Sequence, residues 1–333
     1  MKKILIIGAG AVSRAFSVIT SEKNYITHIL GTEFDRNFLS SIKKSKKKLG
    51  KFPRKVSFYD IDEIETVKGN RYSVIIFALN SNGIDLGIEI LKKILVRPIP
   101  ILLLTKGLIL KNNKLETIPE YIYKRLRKII SRSYITSMSG PALANEISTK
   151  KKTFVIFSNV NSLRSKKISK LFETPFFIPS TSKDIIGTQI CSAFKNIYSI
   201  LLGSNILDSF NYSSFIFNQS VNELTYLSKK FGGKEISAYN LSGIGDLFTS
   251  AFGGRNSNFG THLRKINNYK VIKNKYFKNT TIEGLDLVLR IGPTINKLVR
   301  TKKLDKNKIP LLLVVINSIL KKRNLITYLN EVV

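Results

Sequence analysis

Along the first 180 residues, hydrophobic positions cluster in short runs rich in β-branched side chains. KILIIG (3–8), YITHIL (25–30), KVSFY (55–59), YSVIIFAL (72–79), PILLL (100–104), YITSMS (134–139) and TFVIFS (153–158) have the length and composition of strands. Between most of them lie stretches such as GIDLGIEILKKI (83–94) and LRSKKISKLF (163–172), whose apolar residues recur at helical spacing. Strands that alternate with helices predict a doubly wound, mostly parallel sheet. Beyond about residue 183 the strand signal stops. IIGTQICSAFKNIYSILLG, SSFIFNQSVNELTYLSKKFGG, EGLDLVLRIGPTINKLVRTKK and IPLLLVVINSILKKR carry helical spacing and end at Gly, Lys or Arg.

The fold class is therefore α/β: an N-terminal Rossmann-like doubly wound sheet over 1–183, followed by an all-helical domain over 184–333. A length of 333 residues, 43% of them hydrophobic, suffices for two cores. The net charge of +33 would suit a polyanionic partner. Yet the basic residues are scattered, with only short runs at KKSKKKLG (43–50) and TKKK (149–152), and no known nucleic-acid motif appears. The charge reads as a compositional drift, and no specific nucleic-acid partner is expected. One cysteine, Cys191, leaves no internal disulfide, and with only His28 and His262 beside it no metal site is expected. The start, MKKILIIGAGAV, imitates a secretory leader, but two glycines break its apolar run. IPLLLVVINSIL (309–320) is too short to span a bilayer, so a cytoplasmic protein without a membrane span is expected.

Five stretches carry chemistry. In ILIIGAGAVSRAF, Gly8 and Gly10 follow the first strand and open a helix, where a pyrophosphate can approach the backbone. Ser13 stands where the fingerprint has its third glycine. Glu33, after the second strand, is placed to hold a ribose diol and favour NAD, whereas Arg36 is placed to meet a 2′-phosphate and admit NADP. In LLLTKGLIL, Lys106 and Gly107 lie just past the fifth strand, at the sheet edge where ligands of such folds bind. In SMSGPALANEIS, Gly140 and Pro141 break a strand and are expected to start a helix.

The remaining two stretches supply side chains. Reducing a carbonyl requires a proton donor, commonly histidine. His28 lies in a predicted strand and His262 follows a glycine-rich loop, so both read as structural. Lys195, in ICSAFKNIYS and flanked by Ser192, Ala193 and Asn196, takes that role. An ordinary amine titrates near about 10.4, and burial with a second cation, Lys106, would lower it. LSGIGDLFTSAFGGRNSNFG (241–260) reads as a glycine loop around a small anion, with Asp246 to orient Lys195 and the Arg255–Asn256 pair to meet phosphate oxygens.

Taken together these stretches resemble NAD(P)-dependent glycerol-3-phosphate dehydrogenase of the bacterial type. GAG (8–10), TKGL (105–108), SGPALANE (139–146), SAFKN (192–196), SGIGDL (242–247), RNSNFG (255–260) and IEG (282–284) follow the family order over nearly the whole chain. The resemblance implies that Lys195 is the proton-transfer group, and that Lys106, Gly140, Asp246, Arg255 and Asn256 line a small phosphate substrate. It implies that Ala11, Val12, Ala144, Arg255, Ile282 and Glu283 touch NAD or NADP, joined at family-equivalent positions by Thr32 and Lys106. It further implies a homodimer whose product feeds phospholipid synthesis. The chain departs from the family at Ser13, at Ala142 and Gly254, where hydroxyl residues are usual, and at Thr32, where a basic residue is often found. Each lost hydroxyl removes a substrate hydrogen bond worth about 0.5–1.5 kcal/mol. Two other readings are a ketopantoate reductase-like enzyme, sharing the two-domain plan and a catalytic lysine, and a noncatalytic dinucleotide or nucleic-acid binder.

Overall fold

The computed structural model describes residues 1–45, 52–111, 114–205, 209–278 and 280–332. Residues 46–50 of the basic run therefore lie outside the described residues. The chain divides into two compact units, one formed by Met1–Lys106 with Ile118–Ile185 and the other by Gly107–Thr117 with Ile186–Val333.

The first unit is an α/β fold. Strands β1 (Lys3–Ile7), β2 (Ile26–Leu30), β3 (Val56–Tyr59), β4 (Val74–Phe77), β5 (Ile101–Leu103), β8 (Ile135–Ser139), β9 (Thr153–Ser158) and β10 (Phe177–Ser182) form one sheet in the order β10-β9-β8-β5-β4-β1-β2-β3. Every pairing is parallel except β8 with β9. The inner strands read as unbroken apolar runs because helices cover both faces. These are α1 (Ala11–Glu22), α2 (Arg36–Lys44), α3 (Ile64–Lys68), α4 (Ile84–Ile94), α5 (Ile118–Leu126), α6 (Ala144–Ser148) and α7 (Ser162–Phe172). β1 is an inner strand, flanked by β2 and β4. On one side of the sheet Phe16, Phe157, Phe172 and Phe177 meet edge to face at 5.6–6.4 Å between ring centres. Such pairs add roughly 0.5–1.5 kcal/mol each beyond their burial.

β10 escapes a reading by pattern because FIPSTS mixes a proline with polar residues. As the last strand of the sheet it can carry Pro179, since an edge strand can leave that position without an N–H.

The second unit is helical: α8 (Ile185–Asn205), α9 (Phe210–Lys230), α10 (Asp246–Ala251), α11 (Arg255–Leu263), α12 (Tyr269–Tyr276), α13 (Glu283–Arg300), α14 (Pro310–Lys321) and α15 (Leu325–Asn330). It also contains a hairpin, β6 (Leu108–Lys111) with β7 (Lys114–Thr117). The hairpin departs from a boundary drawn at 183 for a physical reason: Leu108 is buried in the helical core, and Arg290 of α13 donates from Nη1 to the Leu108 carbonyl at 3.4 Å.

α8 is buried all round because it runs through the middle of its unit, with every side chain from Ile190 to Leu202 buried. Residues 185–204 are long and apolar enough to cross a membrane, and 89% of their most apolar 18-residue window is buried within the fold. Burial of α8 depends on close backbone approaches. A Cβ on Gly260 of α11 would sit 1.8 Å from the Ile200 carbonyl oxygen, and one on Gly284 of α13 would sit 2.4 Å from that of Asn196. Only glycine permits helices to meet at that distance.

Candidate active site

In the α/β unit the candidate groups gather at the carboxyl ends of β1, β4, β5 and β8. Gly8 turns the chain with φ +100°, and a Cβ there would come 2.8 Å from Leu79 and 3.0 Å from the Ala78 carbonyl. Gly10 caps α1 without a side-chain hydrogen bond, and a Cβ on it would meet nothing within 4 Å. Ala11 and Val12, the first residues of the helix, are exposed. Unpaired amides at a helix start, with open space over Gly10, fit a dinucleotide pyrophosphate. Ser13 replaces the third glycine without disturbing this turn: it is buried, and its hydroxyl donates to the Gly8 carbonyl at 2.7 Å.

Lys106 and Gly140 are brought together, the lysine Nζ donating to the Gly140 carbonyl at 3.0 Å. Thr105 beside it donates to the Leu79 carbonyl at 2.6 Å. Gly140 does not open a helix directly. α6 starts at Ala144, three residues beyond Pro141, with Leu143 as its N-cap and Ala142 half-buried ahead of it. The proline ring fixes only its own φ, so the chain stays extended at Leu143 (φ −74°, ψ 120°) before the helix begins. Thr32 is buried at the end of β2, before a short turn at Glu33–Asp35.

In the helical unit Lys195 sits mid-helix on α8 with 5% of its surface exposed. Its Nζ donates to Asp246 Oδ1 at 2.9 Å and to Ser250 Oγ at 2.5 Å. Both partners lie on α10 four residues apart, hence on one face. The stretch from 241 to 260, which reads as a glycine loop in the sequence, is helical instead. A π-turn spans Leu241–Gly245, then come α10 and α11. Two of its glycines serve packing: a Cβ on Gly243 would lie 2.1 Å from the Ala238 carbonyl oxygen, and one on Gly254, the N-cap of α11, 2.9 Å from that of Ser250. A side chain at 254 would press on the Ser250 backbone.

A second network joins the family-like motifs. Asn196 Nδ2 donates to Glu283 Oε2 at 3.2 Å, and Asn256 Nδ2 donates to Asn196 Oδ1 at 3.0 Å. The Gly284 amide donates to Asn256 Oδ1 at 2.8 Å, so Asn256 braces α8 against α13. Arg255 is more than half exposed on the first turn of α11, with Nη2 3.7 Å from Glu283 Oε1. Ile282 is the buried N-cap of α13.

The two histidines do other work. His28 Nδ1 pairs with the Tyr72 hydroxyl at 2.9 Å, and burial together with nearby Lys3 holds its pKa below the usual value. His262 lies on α11, not after a loop, and stacks on Tyr276 at 3.8 Å.

Sequence reasoning missed Ser250, which would have been legible as the i+4 neighbour of Asp246 had the segment been read as helix. It also missed Glu223 on α9. That carboxylate is fully buried and accepts from the Tyr198 hydroxyl at 2.9 Å and from the Leu311 and Leu312 amides at 2.8 and 3.0 Å. Burial pushes its pKa up to about 7.

Comparison with known proteins bears on the family and the fold. Residues 3–163 match the family described as NAD-dependent glycerol-3-phosphate dehydrogenase N-terminus, and residues 184–329 match its C-terminus. The NADP(+)-dependent glycerol-3-phosphate dehydrogenase of Archaeoglobus fulgidus is 31% identical over 273 residues, 79% of this chain and 80% of that one. The crystal structure of glycerol-3-phosphate dehydrogenase from Coxiella burnetii has the same fold, with a TM-score of 0.83 at 22% identity over 99% of this chain and 98% of that chain. A ketopantoate reductase from Ralstonia eutropha resembles the fold less closely, with a TM-score of 0.56 at 11% identity over 95% of this chain and 97% of that one.

Proposed function

The chain belongs to the NAD-dependent glycerol-3-phosphate dehydrogenase family, and from that premise we propose that Lys195 passes the proton as dihydroxyacetone phosphate and sn-glycerol 3-phosphate are interconverted. The protein is an oxidoreductase that works with NAD or NADP. When bound, the nicotinamide supplies or takes up the hydride at C2.

The observation that carries the proposal is a buried amine on a rigid helix, fixed in direction by a carboxylate at 2.9 Å and a hydroxyl at 2.5 Å. Reduction at C2 builds negative charge on its oxygen, and a donor already aimed at that oxygen is worth about 10²- to 10⁴-fold in rate. In oxidation the same amine takes the hydroxyl proton, and Asp246 holds it in place during both directions. Arg255 meets the phosphate. Its guanidinium is exposed at a helix start, where charge and dipole both favour an anion, and at 3.7 Å Glu283 balances it without a hydrogen bond. Asn256, engaged at both ends of its amide, sets the approach of α11 to α8 and so the place of Arg255. In the α/β unit, the Gly8–Val12 turn holds the pyrophosphate, and the family resemblance assigns a substrate role to Lys106 and Gly140. On the resemblance alone we place the activity in the cytoplasm, in a homodimer, feeding phospholipid synthesis.

Absorbance of the reduced nucleotide reads the activity with dihydroxyacetone phosphate. Removing Lys195 alone would strand the buried Asp246 charge and destabilise the fold. The Lys195→Met/Asp246→Asn double variant avoids this and is expected to lose about 10²- to 10⁴-fold in kcat, with NADH affinity, read by nucleotide fluorescence, unchanged. Near-normal turnover in that variant refutes the assignment.

A further inference from the structure

Glu33 and Arg36 pull cofactor choice in opposite directions in the sequence, and the structure separates them. A 2′-phosphate at the end of β2 needs donors, and three are nearby: the Thr32 amide, the Thr32 hydroxyl and the Arg36 guanidinium. Each is already taken by a carboxylate of this chain. The Thr32 amide and its Oγ1 both donate to Asp35 Oδ2 at 2.8 Å. Arg36 Nη2 donates to both oxygens of Asp62, at 3.0 and 2.9 Å, and its Nε lies 3.7 Å from Asp60 Oδ1.

Asp35 thus occupies, as an internal anion, the donors that an added phosphate would use. Glu33 is exposed beside them and suited to accept from ribose hydroxyls. Two carboxylates, those of Asp60 and Asp62, flank the Arg36 guanidinium, and Glu33 and Asp35 precede it on the same turn, so the local charge opposes a further dianion. The +33 net charge attracts either cofactor from a distance, but salt screens it beyond about 8 Å, and contacts at the ribose decide. The Arg36–Asp62 pair is exposed and by itself would yield to a phosphate. The Thr32–Asp35 contact is the stronger block, because Thr32 is 2% exposed and its amide has no second direction in which to donate.

We infer that this chain selects NAD(H) over NADP(H), with Asp35 as the principal specificity-determining residue and the Asp62–Arg36 pair as the secondary one. The inference rests on the dinucleotide role proposed above for the Gly8–Val12 turn.

The test is titration of the intact protein with NADH and with NADPH, followed by nucleotide fluorescence at fixed ionic strength. The unaltered chain is expected to bind NADH at least about tenfold more tightly. Asp35→Ala, which frees both Thr32 donors, is expected to tighten NADPH about tenfold and to leave NADH nearly unchanged. Asp62→Asn lies on an exposed turn and keeps the test readable should Asp35→Ala fold poorly; a smaller shift in the same direction is expected. Equal or tighter NADPH binding by the unaltered chain overturns the inference, as does an unmoved NADH/NADPH ratio in both variants. The parallel assay with dihydroxyacetone phosphate keeps the two readings apart. Selective NADH binding without turnover sinks the proposed reaction and leaves the selectivity standing. Turnover with equal affinity for the two nucleotides does the reverse.

Discussion

The two units present their chemistry with different parts of the polypeptide. In the α/β unit much of the candidate surface is backbone: the amides opening α1, the Gly8 turn and the Gly140 carbonyl. These appear wherever a parallel strand ends and a helix begins, so the unit needs little beyond apolar strands and permissive turns. In the helical unit the candidate groups are the side chains of Lys195, Asp246, Ser250 and Arg255, the first two buried in an interior made by helices that touch backbone to backbone. Gly10 and Gly260 show the difference at its sharpest: space is left open at the first and denied to a side chain at the second.

That contrast breaks most visibly at Gly260 and Gly10. Gly260→Ala drives a methyl into the Ile200 carbonyl and is expected to destabilise by about 3 kcal/mol or more. Differential scanning calorimetry should show a fall of roughly 10 °C in Tm. Gly10→Ala, with open space around it, is expected to leave Tm nearly unchanged and to weaken NADH binding about tenfold, since the methyl stands where the pyrophosphate approaches. A stable Gly260→Ala, or a Gly10→Ala that binds normally, would erase the distinction.

The next effect is confined to the helical unit. Glu223 titrates near 7 in the fold against 4.5 ordinarily, so the fold binds its proton more tightly than the unfolded chain does. Its contribution to stability is complete below about pH 4.5 and is lost as pH rises through about 7, a decline of about 3 kcal/mol. Denaturant midpoints measured from pH 4.5 to 8 should show this slope, and Glu223→Gln should flatten it. An identical slope in the variant would place the titration elsewhere. The smallest effect lies in the α/β unit. Ser13→Ala removes the hydroxyl bond to the Gly8 carbonyl and is expected to cost about 1 kcal/mol in urea unfolding, with the turn and its nucleotide affinity preserved.

Legibility follows the same division. The inner strands and the longer helices could be read from the chain because burial on two faces, or on one stripe, leaves a local period in the sequence. β10 could not, since an edge strand with Pro179 is defined by its neighbour β9 and not by its own pattern. The segment from 241 to 260 was obscured for the opposite reason. Its five glycines imitate a loop locally, and only the carbonyls of Ala238, Ser250 and Ile200 pressing on it explain three of them, Gly243, Gly254 and Gly260. Lys195 and Asp246 could be nominated as residue types in a motif. That they meet at 2.9 Å and share the site with Ser250 depends on how α8 and α10 cross.

The sequence by itself determined the alternation of the inner strands with the longer helices, the glycine turn after β1 and the candidate lysine, because each is written in consecutive residues. Tertiary structure alone decided which carboxylate each cation meets. Arg36 reads as a phosphate ligand until Asp62, 26 residues further on, folds against it, and Glu223 draws no notice until α14 lays two amides on it. Hydrogen bonds and charge pairs act over a few ångströms, and a linear chain does not reveal which residues will come that close.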